Sequence, residues 1–293
     1  VLVHTHALTK RYGALTALDG CDLEIPAGEV FGLLGPNGSG KTTLLRLLMG
    51  YLRPSAGAAF IASRDCFRES VAVHRQAAYL PGDARLFRPM RGRSVLQFFG
   101  GIRGAGYVER ALRMSDRLEL DLTRVVGAMS TGMRQKLALI ATMSADTPLV
   151  ILDEPTANLD PTARADVLAL VREARAEGRT ILFSSHVLDE VEKACDRVAI
   201  LRRGKLVHTQ TMADLRRQHR IRARLTGPMP ATPANLAAEL TIRSHDADLT
   251  IETPGELSPL LGWLATLPLA EVQIEPVGLA AIYDRFHPSG GER

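Results

Sequence analysis

The sequence predicts an α/β protein, built on a parallel sheet that carries a phosphate-binding loop and followed by a smaller α+β appendage. Three observations carry this expectation. The apolar runs Val30 to Leu34, Leu149 to Leu152 and Thr180 to Phe183 have the length and continuity of strands covered on both faces. The segment Gly35-Pro36-Asn37-Gly38-Ser39-Gly40-Lys41-Thr42 fits G-x-x-x-x-G-K-[ST] at every fixed position. Directly after it, Leu44, Leu45, Leu47 and Leu48 fall at helical spacing, which completes a strand, loop and helix unit. A chain of 293 residues has room for one large domain and one small one.

In chain order, Val1 to Leu8 and Thr16 to Ile25 alternate as strands, with Lys10-Arg11-Tyr12-Gly13 expected as the turn between them. Tyr12 is either an aromatic that stacks on a nucleobase or one that packs on the sheet. In the phosphate-binding loop, Gly35, Gly38 and Gly40 allow successive backbone N–H groups to curl inward around anionic oxygens. Lys41 adds a point charge for the terminal phosphates, and Thr42, followed by Thr43, offers a hydroxyl to magnesium at the positive end of a helix. Further strands are expected at Ser55 to Ala62 and Ala77 to Leu80, the latter broken by Pro81-Gly82-Asp83.

Ser94 to Arg103 and Val108 to Leu120 read as helices, separated by Gly100, Gly101, Gly104 and Gly106, and form a helical insertion. Ser130 opens another helix that runs to about Ala145, and its hydroxyl is either a simple N-cap or part of a second anion site. Asp153 and Glu154 end the strand Leu149 to Leu152 at its carboxyl edge, where open α/β sheets place ligands. Two acids closing a buried strand need a cation, here nucleotide-bound magnesium, unless they merely sit in an exposed turn before Pro155. Asp153 would hold the ion and Glu154 would take a proton from an attacking water.

A helix is expected from Pro161 to about Ala176. After it, the strand Thr180 to Phe183 leads to Ser184-Ser185-His186, where the histidine is either structural or a donor to a γ-phosphate. Val198 to Leu201 and Lys205 to Val207 form a hairpin around Gly204. Composition then changes: Arg216, Arg217, Arg220, Arg222 and Arg224 crowd together. Beyond them come strands near Ile221 to Leu225, Leu240 to Ser244, Leu249 to Glu252 and Ala270 to Ile274, with helices Pro259 to Leu267 and Val277 to Phe286.

A net charge of +4 suits an anionic ligand or a membrane surface without indicating nucleic acid. Cys21, Cys66 and Cys195 lie far apart and form no C-x-x-C pair, so neither a disulfide framework nor a zinc site is expected. No apolar run approaches the roughly 20 residues of a bilayer span, and no secretion signal is read at the start of the sequence.

Taken together these residues resemble the ATP-binding subunit of an ABC transporter over about Leu2 to Val207. Tyr12 matches the adenine-stacking aromatic and Gly35 to Thr42 the Walker A loop. Ser130 to Gln135, with Gly132, matches the signature motif that other phosphate-loop enzymes lack. Val150 to Glu154 matches Walker B, Asn158-Leu159-Asp160 the D-loop and His186 the switch histidine. The forms Met129 to Lys136, Tyr79 to Asp83 and Ile274 to Tyr283 are similar to the drug- and antibiotic-exporter branch with separate membrane subunits. One residue departs from the pattern: Gly82 stands where relatives carry glutamine or glutamate, so that water or Asp83 would have to replace a direct ligand.

The resemblance implies a P-loop NTPase core over 1–214, with an antiparallel β subdomain and a helical subdomain at about 84–145, and an accessory domain over 215–293. It implies ATP and Mg²⁺ as cofactors, with Thr42 and Asp153 toward the metal and Glu154, His186 and Lys41 catalytic. It also implies a homodimer or paired ATPase subunit, separate transmembrane permease subunits, and a peripheral place on the cytoplasmic face of the membrane, with no nucleic acid. The alternatives are a soluble ABC ATPase acting on ribosome or nucleic acid, for which the arginine cluster speaks, and a non-hydrolysing regulator, for which Gly82 does.

Overall fold

The computed structural model describes residues 1–233, 236, 240–255 and 257–286. They fall into two compact units, Val1–Thr209 and Gln210–Arg293. The last residues of the expected accessory domain, 287–293, lie outside the described ones.

The first unit begins with β1 (Val3–Tyr12) and β2 (Leu15–Ile25), and continues with β3 (Val30–Leu34) and α1 (Lys41–Leu48). β4 (Ala56–Ile61), β5 (Arg64–Asp65), α2 (Ser70–Gln76) and β6 (Ala77–Leu80) follow. The helical part holds α3 (Gly92–Arg103), α4 (Tyr107–Arg117) and α5 (Thr131–Met143). The unit closes with β7 (Leu149–Asp153), α6 (Pro161–Ala176), β8 (Thr180–Ser185), α7 (Leu188–Ala194), β9 (Arg197–Arg202) and β10 (Lys205–Thr211), whose last two residues pass into the second unit.

Two sheets result, an outer one ordered β2-β1-β4-β5 and a central one ordered β10-β9-β3-β8-β7-β6. Every residue of β3, β7 and β8 is buried, as continuous apolar runs in a parallel sheet demand. β3, β8 and β7 are adjacent and parallel, with Leu34 opposite Ser185 and Asp153 opposite Ser184. Their carboxyl ends therefore open side by side. α1 lays Leu44, Leu45, Leu47 and Leu48 into the core that both sheets share, each leucine contributing about 1.5–3 kcal/mol by burial.

Two expectations are corrected. Lys10 to Tyr12 is strand rather than turn: Tyr12 pairs with Leu15, and the reversal is made at Gly13, with φ +56. β1 is irregular near Ala7, which has φ +44, and its register against β2 shifts there. Gly100 and Gly101 lie inside α3 and do not separate the helices. A Cβ on Gly100 would stand 2.6 Å from Val108 Cγ2, so glycine there permits the close approach of α3 to α4. Tyr107, fully buried, ties α4 to α5 through a 2.6 Å bond from its hydroxyl to the Ala141 carbonyl.

The second unit contains α8 (Met212–Arg217), β11 (His219–Leu225), β12 (Thr241–His245), β13 (Asp248–Thr253), α9 (Ser258–Leu264), β14 (Leu269–Pro276) and α10 (Leu279–Phe286). Its sheet runs β12-β13-β11-β14. Ile221, Leu249 and Ile251 form its core with Leu260, Trp263 and Leu264 of α9. The arginines of β11 alternate with these apolar residues: Arg220 bonds Glu252 at 2.7 and 3.0 Å, and Arg222 faces Glu275 at 3.3 Å. Burial would raise the Glu252 carboxyl, but the Arg220 bond and the charges of Arg220, Arg285 and Arg243 outweigh it and hold that carboxyl below its usual range. Among the described residues no helix is long and apolar enough to cross a membrane.

Candidate active site

The segments that follow β3 and β7 open into a cleft of about 700 Å³, which His186 after β8 does not line. Tyr12, Leu15, Thr16 and Ala17 line it from the outer sheet, and Asn37 to Thr43 from the loop and α1. Gly82, Asp153, Glu154, Ala157 and Arg203 complete it. The loop needs glycine for steric reasons at two positions. A Cβ on Gly35 would lie 2.4 Å from Ser39 Oγ and 2.5 Å from the Leu201 carbonyl. Gly40 has φ +109, and a Cβ there would lie 2.6 Å from the Ala17 carbonyl.

Lys41 is buried, and its Nζ donates to the carbonyls of Gly35 at 2.6 Å and Pro36 at 3.2 Å. Burial pulls its pKa down, while the nearby carboxylates of Glu154 and Asp153 oppose that shift. Thr42 Oγ1 donates to Asp153 Oδ2 at 3.0 Å, and Ser184 Oγ donates to Asp153 Oδ1 at 2.6 Å. A hydroxyl and a buried carboxylate held this close form an oxygen-only donor pair, which fits magnesium better than a softer metal. Among the described residues no group of three or more His, Cys, Asp or Glu is placed to hold a metal. The remaining oxygens would come from phosphate and water.

Glu154 has φ +51, a strained conformation for a non-glycine residue. Its N–H is held by the carbonyl and the hydroxyl of Ser184, both at 3.1 Å. His186 Nδ1 lies 3.0 Å from Glu154 Oε2. A carboxylate only accepts, so this bond requires the proton on Nδ1.

The signature residues stand elsewhere. Ser130 is exposed, and its Oγ accepts from Met133 N–H at 3.2 Å. Neither Ser130 nor Gly132 lines the cleft. A Cβ on Gly132 would lie 3.0 Å from the Asn158 carbonyl, so the signature helix abuts the D-loop segment. Asp160 caps α6 by accepting from Ala163 N–H at 2.9 Å, a bond that holds its carboxyl below the usual range. Asp83 turns away to pair with Arg85 at 3.0 Å and does not line the cleft, so it does not stand in for the side chain absent at Gly82.

Comparison with known proteins places this arrangement in a family. The ABC transporter family model matches residues 18–157. The daunorubicin resistance ATP-binding protein DrrA3 of Streptomyces coeruleorubidus is 34% identical, over 92% of this chain and 89% of its own. The chain belongs to the ABC transporter ATP-binding family.

Within that family, the daunorubicin/doxorubicin resistance ATP-binding protein DrrA of Streptomyces peucetius is 32% identical, over 93% of this chain and 86% of its own. A solved ATP-binding subunit of an ABC transporter superposes with TM-score 0.68 at 30% identity, covering 74% of this chain and 92% of that one. A dimeric bacterial ABC transporter cassette gives 0.67 at 22% identity, covering 72% and 99%, which speaks to the fold alone. As an ABC ATPase, the chain binds and hydrolyses ATP.

Sequence reading missed several residues of this site. Thr16 and Arg203 line the cleft from positions read only as the start of a strand and the turn of a hairpin. Ser184 holds Asp153 and Glu154, and Gln135 donates to the carbonyls of Glu154 at 3.4 Å and Pro155 at 3.1 Å. The Gln135 contact was reachable as part of the signature motif. The others carry no local signal, because strand order alone brings them in.

Proposed function

We propose that this ATPase powers export of small hydrophobic, drug-like compounds through separate membrane subunits, by ATP-driven closure of a head-to-tail pair. The observation that carries the pairing is a separation. Lys41, Thr42, Asp153 and Glu154 share one cleft, while Ser130 and Gly132 are turned outside it. A second copy supplies them, so each ATP lies between the phosphate loop of one protomer and the serine-capped helix of the other.

In this reading Tyr12 stacks on the adenine, and the N–H groups from Gly35 to Thr43, including those of Asn37, Gly38, Ser39 and Gly40, cradle the phosphates. Thr42 and Asp153 would hold Mg²⁺, which would supply positive charge to offset that of the phosphates. Glu154 accepts the proton of the water that attacks the γ-phosphorus, the bond to the β-phosphate oxygen breaks, and ADP and phosphate leave. His186 orients Glu154 through Nδ1–H and faces the γ-phosphate with Nε2. Asp160 stiffens the D-loop at the protomer boundary.

The drug-like cargo follows from the daunorubicin resistance relatives and their match along nearly the whole chain. The span is left to partner permease subunits, and the chain works peripherally on the cytoplasmic face. Residues 215–293 act as an accessory domain. Within it Arg220 and Arg285 pair with Glu252 and Arg222 with Glu275, and we expect no nucleic-acid partner. The test is Glu154→Gln with ATP and Mg²⁺. A stable pair by light scattering and turnover reduced at least about 100-fold is the expected result. Hydrolysis at the wild-type rate would refute the role of Glu154.

A further inference from the structure

One buried acid of the first unit has no part in the scheme above. Glu190, in the first turn of α7, is 4% exposed. Its Oε2 accepts from Thr156 Oγ1 at 2.7 Å and from Ser185 Oγ at 2.9 Å. Ser185 Oγ also accepts from Val187 N–H at 3.0 Å. Oε1 is buried with no hydrogen-bond partner. A carboxylate placed this way costs stability, since one oxygen has lost water and gained nothing. An apolar side chain of similar shape would serve the core better. What it does provide is a single acceptor shared by two hydroxyls on different segments.

Those segments are the two that carry the hydrolytic groups. Thr156 lies two residues after Glu154, and Ser185 directly precedes His186. The 3.0 Å approach of His186 to Glu154 depends on the separation of the two segments. The positive φ of Glu154 and of Asn158 persists only where surrounding contacts over-determine it. Gln135 grips the same turn from the other side through the Glu154 and Pro155 carbonyls.

We propose that Glu190 is a positioning residue: its shared oxygen staples the Thr156 hydroxyl to the Ser185 hydroxyl and so fixes Glu154 against His186. The proposal rests on the hydrolytic role assigned to Glu154. Glu190 does not line the cleft, and none of its hydrogen bonds goes to the phosphate-binding loop. Its loss lowers turnover and leaves nucleotide affinity in place.

The experiment is steady-state ATPase kinetics on the full chain. Glu190→Ala should lower kcat by about 30- to 100-fold with the KM for ATP within about twofold, as expected when a reacting group is misplaced by a fraction of an ångström. Glu190→Gln keeps an acceptor for both hydroxyls and should stay within about threefold of wild type, with an unchanged or higher melting temperature. Thr156→Val should lower kcat by roughly tenfold and add nothing on top of Glu190→Ala, because both cut one link. If Glu190→Ala fails to fold, Thr156→Val and Ser185→Ala carry the test alone.

A second readout is binding: in a Glu154→Gln background, ATP-dependent pairing should survive Glu190→Ala. Wild-type kcat in Glu190→Ala would overturn the proposal, as would a KM that rises as far as kcat falls, a Gln variant as poor as Ala, additive losses, or lost pairing. Glu154→Gln run in parallel separates the two readings. If it is inactive while Glu190→Ala is not, only the staple fails; if it hydrolyses ATP normally, the assignment of the base fails.

Discussion

α1 and α5 both present a helix N-terminus suited to phosphate, and they are finished in opposite ways. α1 begins at Gly40, in a left-handed conformation with no side chain to cap it, and its first residue, Lys41, is buried. α5 begins at Ser130, whose hydroxyl already satisfies the Met133 N–H, and this end is exposed. An uncapped exposed start would cost about 1 kcal/mol, so α5 is stable as it stands and gives up its cap only for something better. α1 stays uncapped because the core of β3, β7 and β8 holds it in place. The helix start inside the cleft is thus uncapped and held by the core, while the start of α5, outside the cleft, is capped by its own serine.

The largest expected effect lies at α1. Lys41→Ala removes the one ammonium that the loop encloses, and the ATPase rate should fall by about 100- to 1,000-fold, measured as phosphate release at saturating ATP. Activity near wild type would mean that α1 is only a structural turn, and the contrast between the helices would disappear.

At α5 the effect is smaller and the logic sharper. Ser130→Ala should cost about tenfold in rate, together with about 1 kcal/mol of stability from the lost cap. Ser130→Arg should abolish turnover at the phosphate site that its helix end closes, leaving pairing through the other site possible. Mixed with Lys41→Ala it should restore roughly a quarter of wild-type activity, because half the pairs are mixed and each mixed pair has one intact site. If both helix ends served one nucleotide within the same chain, no mixture would recover anything.

This contrast was only half legible in the sequence. The G-x-x-x-x-G-K-[ST] pattern gives α1 its role by spacing alone, and the serine opening α5 is readable as a cap. The apolar runs of β3, β7 and β8 were legible because strands buried on both faces need no alternation. The strand order that sets Ser184 against Asp153 was not, since pairing between segments 31 residues apart leaves no local mark. Glu190 was hidden for a related reason. In the sequence it is one acid among Asp189, Glu190 and Glu192, and only the fold shows that Asp189 is exposed and Glu192 half-buried while Glu190 is buried. The left-handed backbone of Glu154 is likewise a product of its surroundings, because glutamate has no preference for it.

The smallest effect concerns the edge of the cleft where Gly82 faces Asp153. Gly82 lines the cleft, and a Cβ there would lie 3.6 Å from Asp153 Oδ2, an ordinary contact. A Cβ is therefore accommodated, and we expect a longer side chain to bring its oxygen toward those of Thr42 and Asp153. Gly82→Gln should raise the ATPase rate by about two- to fivefold and lower the Mg²⁺ concentration giving half-maximal activity, because a neutral oxygen replaces a water without adding charge. Gly82→Ala, which adds a methyl group and no ligand, should change neither. The mixing experiment between Lys41→Ala and Ser130→Arg should be unaffected in a Gly82→Gln background, since α5 does not reach this edge. A slower Gly82→Gln enzyme would mean that the open backbone at Gly82 is itself used by the nucleotide, and that α1 shares its phosphates with one more segment than the two helices compared above.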